Sequence, residues 1–120
     1  MLEQVVRLTV ELAVKEGQWE GFKSLAETMT TVSKTEPRTL GYEWFSSVDQ
    51  KRFRLVETYV DSDAVLAHFM GPAVQEFVPK LMGTCTVTGF EVYGDPGQKV
   101  AEMVAGFGAE TFEYWMGINR

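Results

Sequence analysis

The chain has a single cysteine and a single histidine, and these scarcities limit its chemistry. Cys85 alone cannot close a disulfide within the chain, so the sequence favours a reducing compartment and we expect a cytoplasmic protein. One histidine and one cysteine cannot supply the usual zinc ligand sets, and the carboxylates lack calcium-loop spacing, so no metal site is expected. Glycine-rich phosphate loops are also lacking, which argues against bound NAD or ATP.

Basic residues are scarce as well. Eleven Lys and Arg stand against seventeen Asp and Glu, which gives a formal charge of -6. Nucleic acids and membrane surfaces are polyanionic and attract clustered cations, so neither is an expected partner. No apolar run approaches the roughly 20 residues that span a bilayer, and Glu3, Arg7 and Glu11 interrupt the N-terminal apolar pattern, which argues against a signal peptide. A length of 120 residues indicates one domain.

The first part of the chain predicts a strand and then a helix. Apolar residues alternate from Gln4 to Val14, the period of a strand. From Trp19 to Val32 they recur every three or four residues, which is the stripe of an amphipathic helix. This helix is expected to end before Pro37, because a proline biases its predecessor away from helical angles.

The middle of the chain predicts a hairpin followed by an interrupted helix. Thr39 to Val48 and Phe53 to Val60 are rich in aromatic and β-branched residues, with a polar turn between them. Asp61 or Ser62 can cap the helix that follows. Its buried side is predicted to contain Val65, Leu66 and Phe69. A break is expected at Gly71-Pro72, and in the second piece Pro79 is expected to bend or fray the last turn.

A fourth strand is predicted from Thr84 to Tyr93, with strict alternation between its two faces. The order strand, helix, strand, strand, helix, strand indicates an α+β, ferredoxin-like βαββαβ fold with an antiparallel four-stranded sheet. Beyond the turn at residues 95–97, the pattern predicts a short helix and then an alternating segment from Phe112 to Ile118.

Both faces of this sheet are expected to be apolar. In the second strand Tyr42 and Trp44 are predicted to point opposite to Phe45. In the third, Phe53 and Leu55 are predicted to point opposite to Val56 and Val60. Two helices cover only one face, so a second cover is needed. We favour a sheet-to-sheet homodimer, to which the tail could contribute a strand, and the alternative is that the C-terminal segment folds back over the open face.

Several short segments agree with one family. They are Glu36-Pro37, Leu40-Gly41-Tyr42-Glu43, Val56-Glu57-Thr58-Tyr59, Ala67-His68-Phe69, Gly71-Pro72 and Gln75-Glu76-Phe77. Together they closely resemble the antibiotic biosynthesis monooxygenase (ABM) domain family of dimeric α+β barrels. The resemblance assigns residues 1–95 to this domain and residues 96–120 to a C-terminal extension that packs on the domain or on the dimer partner.

The resemblance implies a homodimeric monooxygenase that oxidises quinol- or anthrone-like aromatics with molecular oxygen and no cofactor. The family also contains members that degrade haem, and these use a histidine near the position of Val78 in this chain. Because His68 is the only histidine, haem ligation is disfavoured.

His68 is the candidate catalytic residue. It lies three residues after Val65 and four after Ala64, so it shares the edge of the buried helical stripe. A histidine there can be a structural, hydrogen-bonded group. If it is catalytic, it is a general base that removes a phenolic proton, so that the substrate anion can pass an electron to oxygen.

Other residues could bind the substrate. Aromatic side chains with polar tips suit a pocket for a planar molecule, although for any one of them a place in the core or in a dimer interface is favoured. Glu57 lies within a strand and needs a partner: pairing with Arg54 or Arg7 is favoured over orienting His68. The predicted substrate-binding residues are Tyr42, Trp44, Glu57, Tyr59, Phe69 and Tyr93.

Two functional hypotheses follow. The first is a cofactor-independent monooxygenase with a small hydrophobic aromatic substrate held between helices and sheet. The second is a non-catalytic ligand-binding or stress-associated dimer that uses the same cavity. The order of elements does not separate them, because one fold hosts several chemistries.

Overall fold

The computed structural model describes residues 5–120. Its elements follow the predicted βαββαβ order, and a further helix and a short strand come after them. In chain order they are β1 (Val6–Val14), α1 (Trp19–Ser33), β2 (Thr39–Ser46), β3 (Arg52–Tyr59), α2 (Ser62–Met70), α3 (Pro72–Gln75), α4 (Phe77–Leu81), β4 (Cys85–Tyr93), α5 (Gln98–Ala105) and β5 (Glu110–Phe112). Gln4, where the first strand was predicted to begin, lies outside the described residues.

One mixed sheet organises the fold, with the strand order β2-β3-β1-β4-β5. The four predicted strands pair antiparallel, whereas β5 runs parallel to β4 at the edge. The predicted α+β, ferredoxin-like class is confirmed, and the sheet of a single chain is open instead of closed into a barrel. The alternating tail segment was predicted from Phe112 to Ile118, but only Phe112 of it pairs with the sheet, as the last residue of β5.

The core lies between this sheet and the helices. Alternation in β1 and β3 turns their buried residues toward the helices, which cover that face. Two hydrophobic clusters result, one around Val6, Tyr59 and Val65 and the other around Leu12, Phe22 and Leu55. Each fully buried side chain of this size contributes roughly 1.5–3 kcal/mol to folding.

The C-terminal helix α5 packs on the same side of the sheet as α2. Val100 and Val104 are almost fully buried in the cluster that contains Val65. The strand β5 extends the sheet sideways. Neither element covers the second face, so the alternative in which the tail folds back across that face was wrong for α5 and β5. The domain boundary at residue 95 stays a prediction.

A β-bulge changes the face assignment predicted for β4. Glu11 pairs with Gly89, but Leu12 pairs with Val87, so one extra residue is inserted in β4. Strict alternation would have put Cys85 and Val87 on the face opposite Phe90. The bulge instead puts all three residues on the helix side, where they pack in the core.

The helix break near Pro79 also differs from its prediction. The fraying was expected in the last turn, yet the helix divides one turn earlier, at Glu76, between α3 and α4. The ring of Pro79 has no N–H to donate to the carbonyl of Gln75 and crowds that carbonyl, which explains a break on the N-terminal side.

The outward face of the sheet is more polar than predicted. Arg52 and Arg54 contact Glu11 at 3.4 and 3.1 Å, and Thr88 donates to the same carboxylate at 2.9 Å. These contacts lower the pKa of Glu11, the bonds from Thr88 and Arg54 having the largest effect. Phe45 and Val56 do lie on this face, but Val60 packs against the helix-side core. No helix within residues 5–120 has the length and apolar character needed to cross a membrane.

Candidate functional site

The imidazole of His68 is buried between α2 and the sheet, with 2% of the residue exposed. Asp61 caps the N-terminus of α2, and its carboxylate accepts a hydrogen bond from the backbone N–H of Ala64 at 2.9 Å. Val65 and Phe69 share the buried side of this helix with His68. The helical phase read from the sequence therefore located the ring correctly, facing the sheet.

Glu36 contacts one side of this ring. Its Oε1 lies 2.7 Å from Nδ1 of His68 and also accepts a hydrogen bond from the hydroxyl of Thr39 at 2.8 Å. The residue lies in the turn between α1 and β2. Its backbone N–H donates to Ser33 at 3.0 Å, and its carbonyl accepts from the backbone N–H of Thr39 at 3.1 Å. Hydrogen bonds of both backbone groups of Glu36 thus stabilise the turn.

Glu57 lies on the other side of the ring. Strand alternation in β3 directs Glu57 and Tyr59 toward the helices, and Oε1 of Glu57 is 3.7 Å from Nε2 of His68. The hydroxyl of Tyr59 donates to that same carboxyl oxygen. The favoured pairing of Glu57 with Arg54 or Arg7 was therefore wrong: Arg54 contacts Glu11 on the opposite face.

Burial controls the titration of these groups. Loss of water raises the pKa of Glu57, although the neighbouring His68 and the bond from Tyr59 oppose this. Burial also raises the pKa of the Tyr42 and Tyr59 hydroxyls, and the Glu57 carboxylate raises both further. The tyrosines consequently stay neutral, and Glu57 takes up protons more readily than an exposed glutamate.

A cavity of about 70 Å³ adjoins this cluster. Its polar lining comes from Tyr42, Glu57 and His68, and the first two both lie next to the imidazole. The remaining wall is apolar and includes Phe69, while Phe107 is the most exposed lining residue, at 42%. The arrangement can hold an apolar body whose polar edge points toward the imidazole.

The structure brings most of the predicted site residues together. Tyr42, Glu57, His68 and Phe69 line the cavity, and the ring of Tyr59 lies 5.4 Å from that of His68 behind it. Two predicted residues lie elsewhere. The indole of Trp44 donates to the Thr30 hydroxyl at 2.9 Å, next to Tyr42. Tyr93 points outward and stacks on Phe112.

Sequence reasoning missed the role of Glu36. The residue was noticed as part of Glu36-Pro37 but was given no function. Its separation from His68 by 32 positions leaves no local periodicity that could connect the two. The available signal was the pair Glu36 and Thr39 beside a proline-containing turn, where side-chain oxygens commonly bond to nearby groups.

Family comparison agrees with this architecture. The model of the antibiotic biosynthesis monooxygenase family matches residues 5–80, which include β1 to α3 and most of α4. The match therefore contains His68 and the four groups around its ring, Glu36, Tyr42, Glu57 and Tyr59. The chain belongs to this family. No protein of curated function matches the sequence. The family match supports monooxygenase activity at the level of the family, without a substrate class.

Several solved structures have a fold similar to that of this chain. MupZ from Pseudomonas fluorescens is 18% identical with a TM-score of 0.83, and the match covers 98% of this chain and 95% of MupZ. Protein SO0527 from Shewanella oneidensis is 25% identical with a TM-score of 0.64, and the match covers 76% of this chain and 88% of SO0527. Rv0793 from Mycobacterium tuberculosis is 16% identical with a TM-score of 0.68, and the match covers 79% of this chain and 98% of Rv0793. The match to MupZ extends through the tail after residue 95.

Proposed function

We propose that this ABM-family chain is a cofactor-independent monooxygenase for a small quinol- or anthrone-like aromatic, working as a homodimer with His68 as general base. The observation that carries the proposal is the single polar cluster in the lining of an otherwise apolar cavity. Glu57 and Tyr42 lie next to His68 in this cluster, and the other lining residues are apolar. Such a site orients one oxygen-bearing edge of a planar substrate toward an imidazole.

The reaction balances without another reductant. For an anthrone-like CH₂ group, His68 takes a proton, and the resulting enolate gives one electron to O₂. The substrate radical and superoxide then combine to form a C–O bond. The peroxide takes up the proton held by His68, loses the second C–H hydrogen, and breaks its O–O bond. One oxygen atom remains as the carbonyl, and the other leaves as water.

Substrate entry requires the cavity to widen. A volume of about 70 Å³ is small beside the roughly 150 Å³ cavity that holds benzene in an engineered protein core. Val74 and Val78 line the cavity from α3 and α4, two helices of four and five residues. Because such short helices have little cooperative stability, this wall is the part that moves when an aromatic ring enters.

The homodimer is supported by the outward sheet face. Phe45 and Tyr93 are 54% and 38% exposed there, among the charged pairs of Glu11. A stable interface commonly buries roughly 800 Å² per partner, which requires apolar contacts as well as polar ones. Pairing of two such faces would cover these aromatic residues.

Oxygen consumption tests the proposal. We expect turnover of a peri-hydroxylated anthrone, whose oxygens share one edge, with one ¹⁸O atom from ¹⁸O₂ in the product. A para-hydroquinone leaves its second hydroxyl against the apolar wall, so its kcat/KM should be about tenfold or more lower. His68→Asn keeps a donor toward Glu36 but has no base at Nε2, and it should lose about 10²-fold or more of kcat.

Two outcomes would overturn the proposal. Unchanged turnover in His68→Asn removes His68 as the base. Saturable binding of the anthrone without product, after prolonged aerobic incubation, supports the non-catalytic ligand-binding hypothesis instead. Circular dichroism of the variant, compared with that of the wild type, separates loss of chemistry from loss of fold.

A further inference from the structure

The imidazole of His68 has an asymmetric environment. A neutral imidazole carries one ring proton, and the nitrogen without it is the base. Nδ1 lies at hydrogen-bond distance from Glu36, 2.7 Å, whereas Nε2 is 3.7 Å from Glu57, beyond a hydrogen bond. An ionised carboxylate only accepts hydrogen bonds, so the ring proton belongs on Nδ1.

We infer that Glu36 is a positioning residue that holds the Nδ1–H tautomer of His68 and so makes Nε2 the basic nitrogen. The tautomer is a structural statement, whereas the role of Nε2 as the catalytic base rests on the proposed function. With the opposite tautomer, the lone pair of Nδ1 would face the carboxylate of Glu36 at 2.7 Å. That repulsion disfavours the Nε2–H form, in which the nitrogen nearer Glu57 is not a base.

The surroundings of Glu36 hold it in one position. Oε1 accepts from both His68 and Thr39, and the backbone of the turn bonds to Ser33 and Thr39. A carboxylate with two donors on one oxygen has few alternative rotamers. The plane of the imidazole is fixed by the same contact, because the hydrogen bond lies in the ring plane.

Among residues 5–120, the other titratable groups around the ring make no hydrogen bond to Nε2. Tyr59 already donates to Oε1 of Glu57, the carboxyl oxygen nearest the imidazole. The ring of Tyr42 lies 5.5 Å from that of His68, and burial keeps its hydroxyl neutral. Among the described residues, the ionisable groups facing the ring are Glu36, Glu57, Tyr42 and Tyr59.

Nitrogen NMR of the intact protein tests the tautomer. Since His68 is the only histidine, a ¹⁵N-labelled chain gives a single pair of imidazole ring signals. Above the pH at which the ring is charged, we expect a protonated Nδ1 and an unprotonated Nε2. In Glu36→Ala, a mixed or reversed tautomer is expected. A wild type with the proton on Nε2 would overturn the inference.

Kinetics test the consequence of that tautomer. Glu36→Ala should lower kcat by about tenfold to a hundredfold, with KM changed much less, because the base is misoriented while the cavity stays intact. Glu36 is partly exposed, so added formate can enter the gap and should restore part of kcat and the Nδ1–H signal together. Thr39→Val should lower kcat only a few-fold.

The failures are distinguishable. Glu27→Ala, at an exposed glutamate on α1, serves as the control and should behave as wild type. If His68→Asn is inactive while Glu36→Ala keeps full kcat and the Nδ1–H tautomer, this inference fails and the proposed function stands. If the wild type turns over no substrate, the proposed function and the catalytic half of the inference fail, and the spectrum alone decides the tautomer. If Glu36→Ala does not fold, the wild-type spectrum still decides the inference, which a proton on Nδ1 supports and a proton on Nε2 overturns.

Discussion

The hydroxyl of Tyr59 donates a hydrogen bond to the carboxyl group of Glu57, two residues earlier on β3, and both side chains face the helices. This bond supplies one partner to a carboxyl that is almost wholly removed from water. Burial still raises its pKa, because one neutral donor and a nearby imidazole do not replace full hydration.

The raised pKa of Glu57 predicts a pH-dependent stability. The folded state keeps the proton at a pH where the unfolded chain has lost it, so this stabilisation is complete below the ordinary value of 4.5 and is lost as pH rises through the folded pKa. Relative to Glu57→Gln, the wild type should lose up to about 1.4 kcal/mol of unfolding free energy per pH unit in that window. Urea unfolding at a series of pH values measures the difference, and parallel curves for the two proteins would contradict the prediction.

Phe107 is expected to control access to the cavity. It lines the cavity, remains 42% exposed, and stacks on Phe90 with ring centres 6.0 Å apart. Phe107→Ala should raise both the association and the dissociation rate of an aromatic ligand several-fold, as followed by stopped-flow tryptophan fluorescence. Phe112→Ala is the matched control, because Phe112 is 41% exposed and stacks on Tyr93 at the outward face. Equal rates in both variants would exclude Phe107 as the entrance.

The outward face should be the contact between two chains. Phe45→Glu adds a charge at an exposed aromatic position on β2, and burying it unpaired is unfavourable. We expect the dimer dissociation constant to rise about tenfold or more, measured by sedimentation velocity over a dilution series. Met70→Glu makes a similar change at the end of α2, on the helix side, and should leave the constant unchanged. A wild type that sediments as a monomer throughout would remove the dimer.

Periodic signals made most of the fold predictable. The spacing of Val65, His68 and Phe69 sufficed to place the imidazole inward, since a helix of known phase has one buried side. The hairpin of β2 and β3 and the cap at Asp61 follow from local residue chemistry in the same way. These features depend on neighbours within a few positions along the chain.

Non-local contacts could not be predicted in this way. The pairing of Glu36 with His68 joins a turn to a helix, and the position of each depends on how both pack on the sheet. The pairing of Glu57 with Arg54, by contrast, could have been excluded locally, because residues three apart in one strand point to opposite faces of the sheet. That Arg54 contacts Glu11 on the neighbouring strand depends on the register of the assembled sheet.

The bulge in β4 has an evolutionary consequence. Removal of Thr88, the extra residue opposite β1, would leave a regular ladder in which Cys85, Val87 and Phe90 still face the helices. Removal of a residue elsewhere in β4, with the bulge kept, would instead turn one end of the strand over and expose Val92 or Cys85 to water. We therefore expect lineages of this chain to tolerate gains and losses of residues in the turn at residues 47–51 and loss of the bulge itself, but to retain the residue count on each side of the bulge even while the sequence drifts.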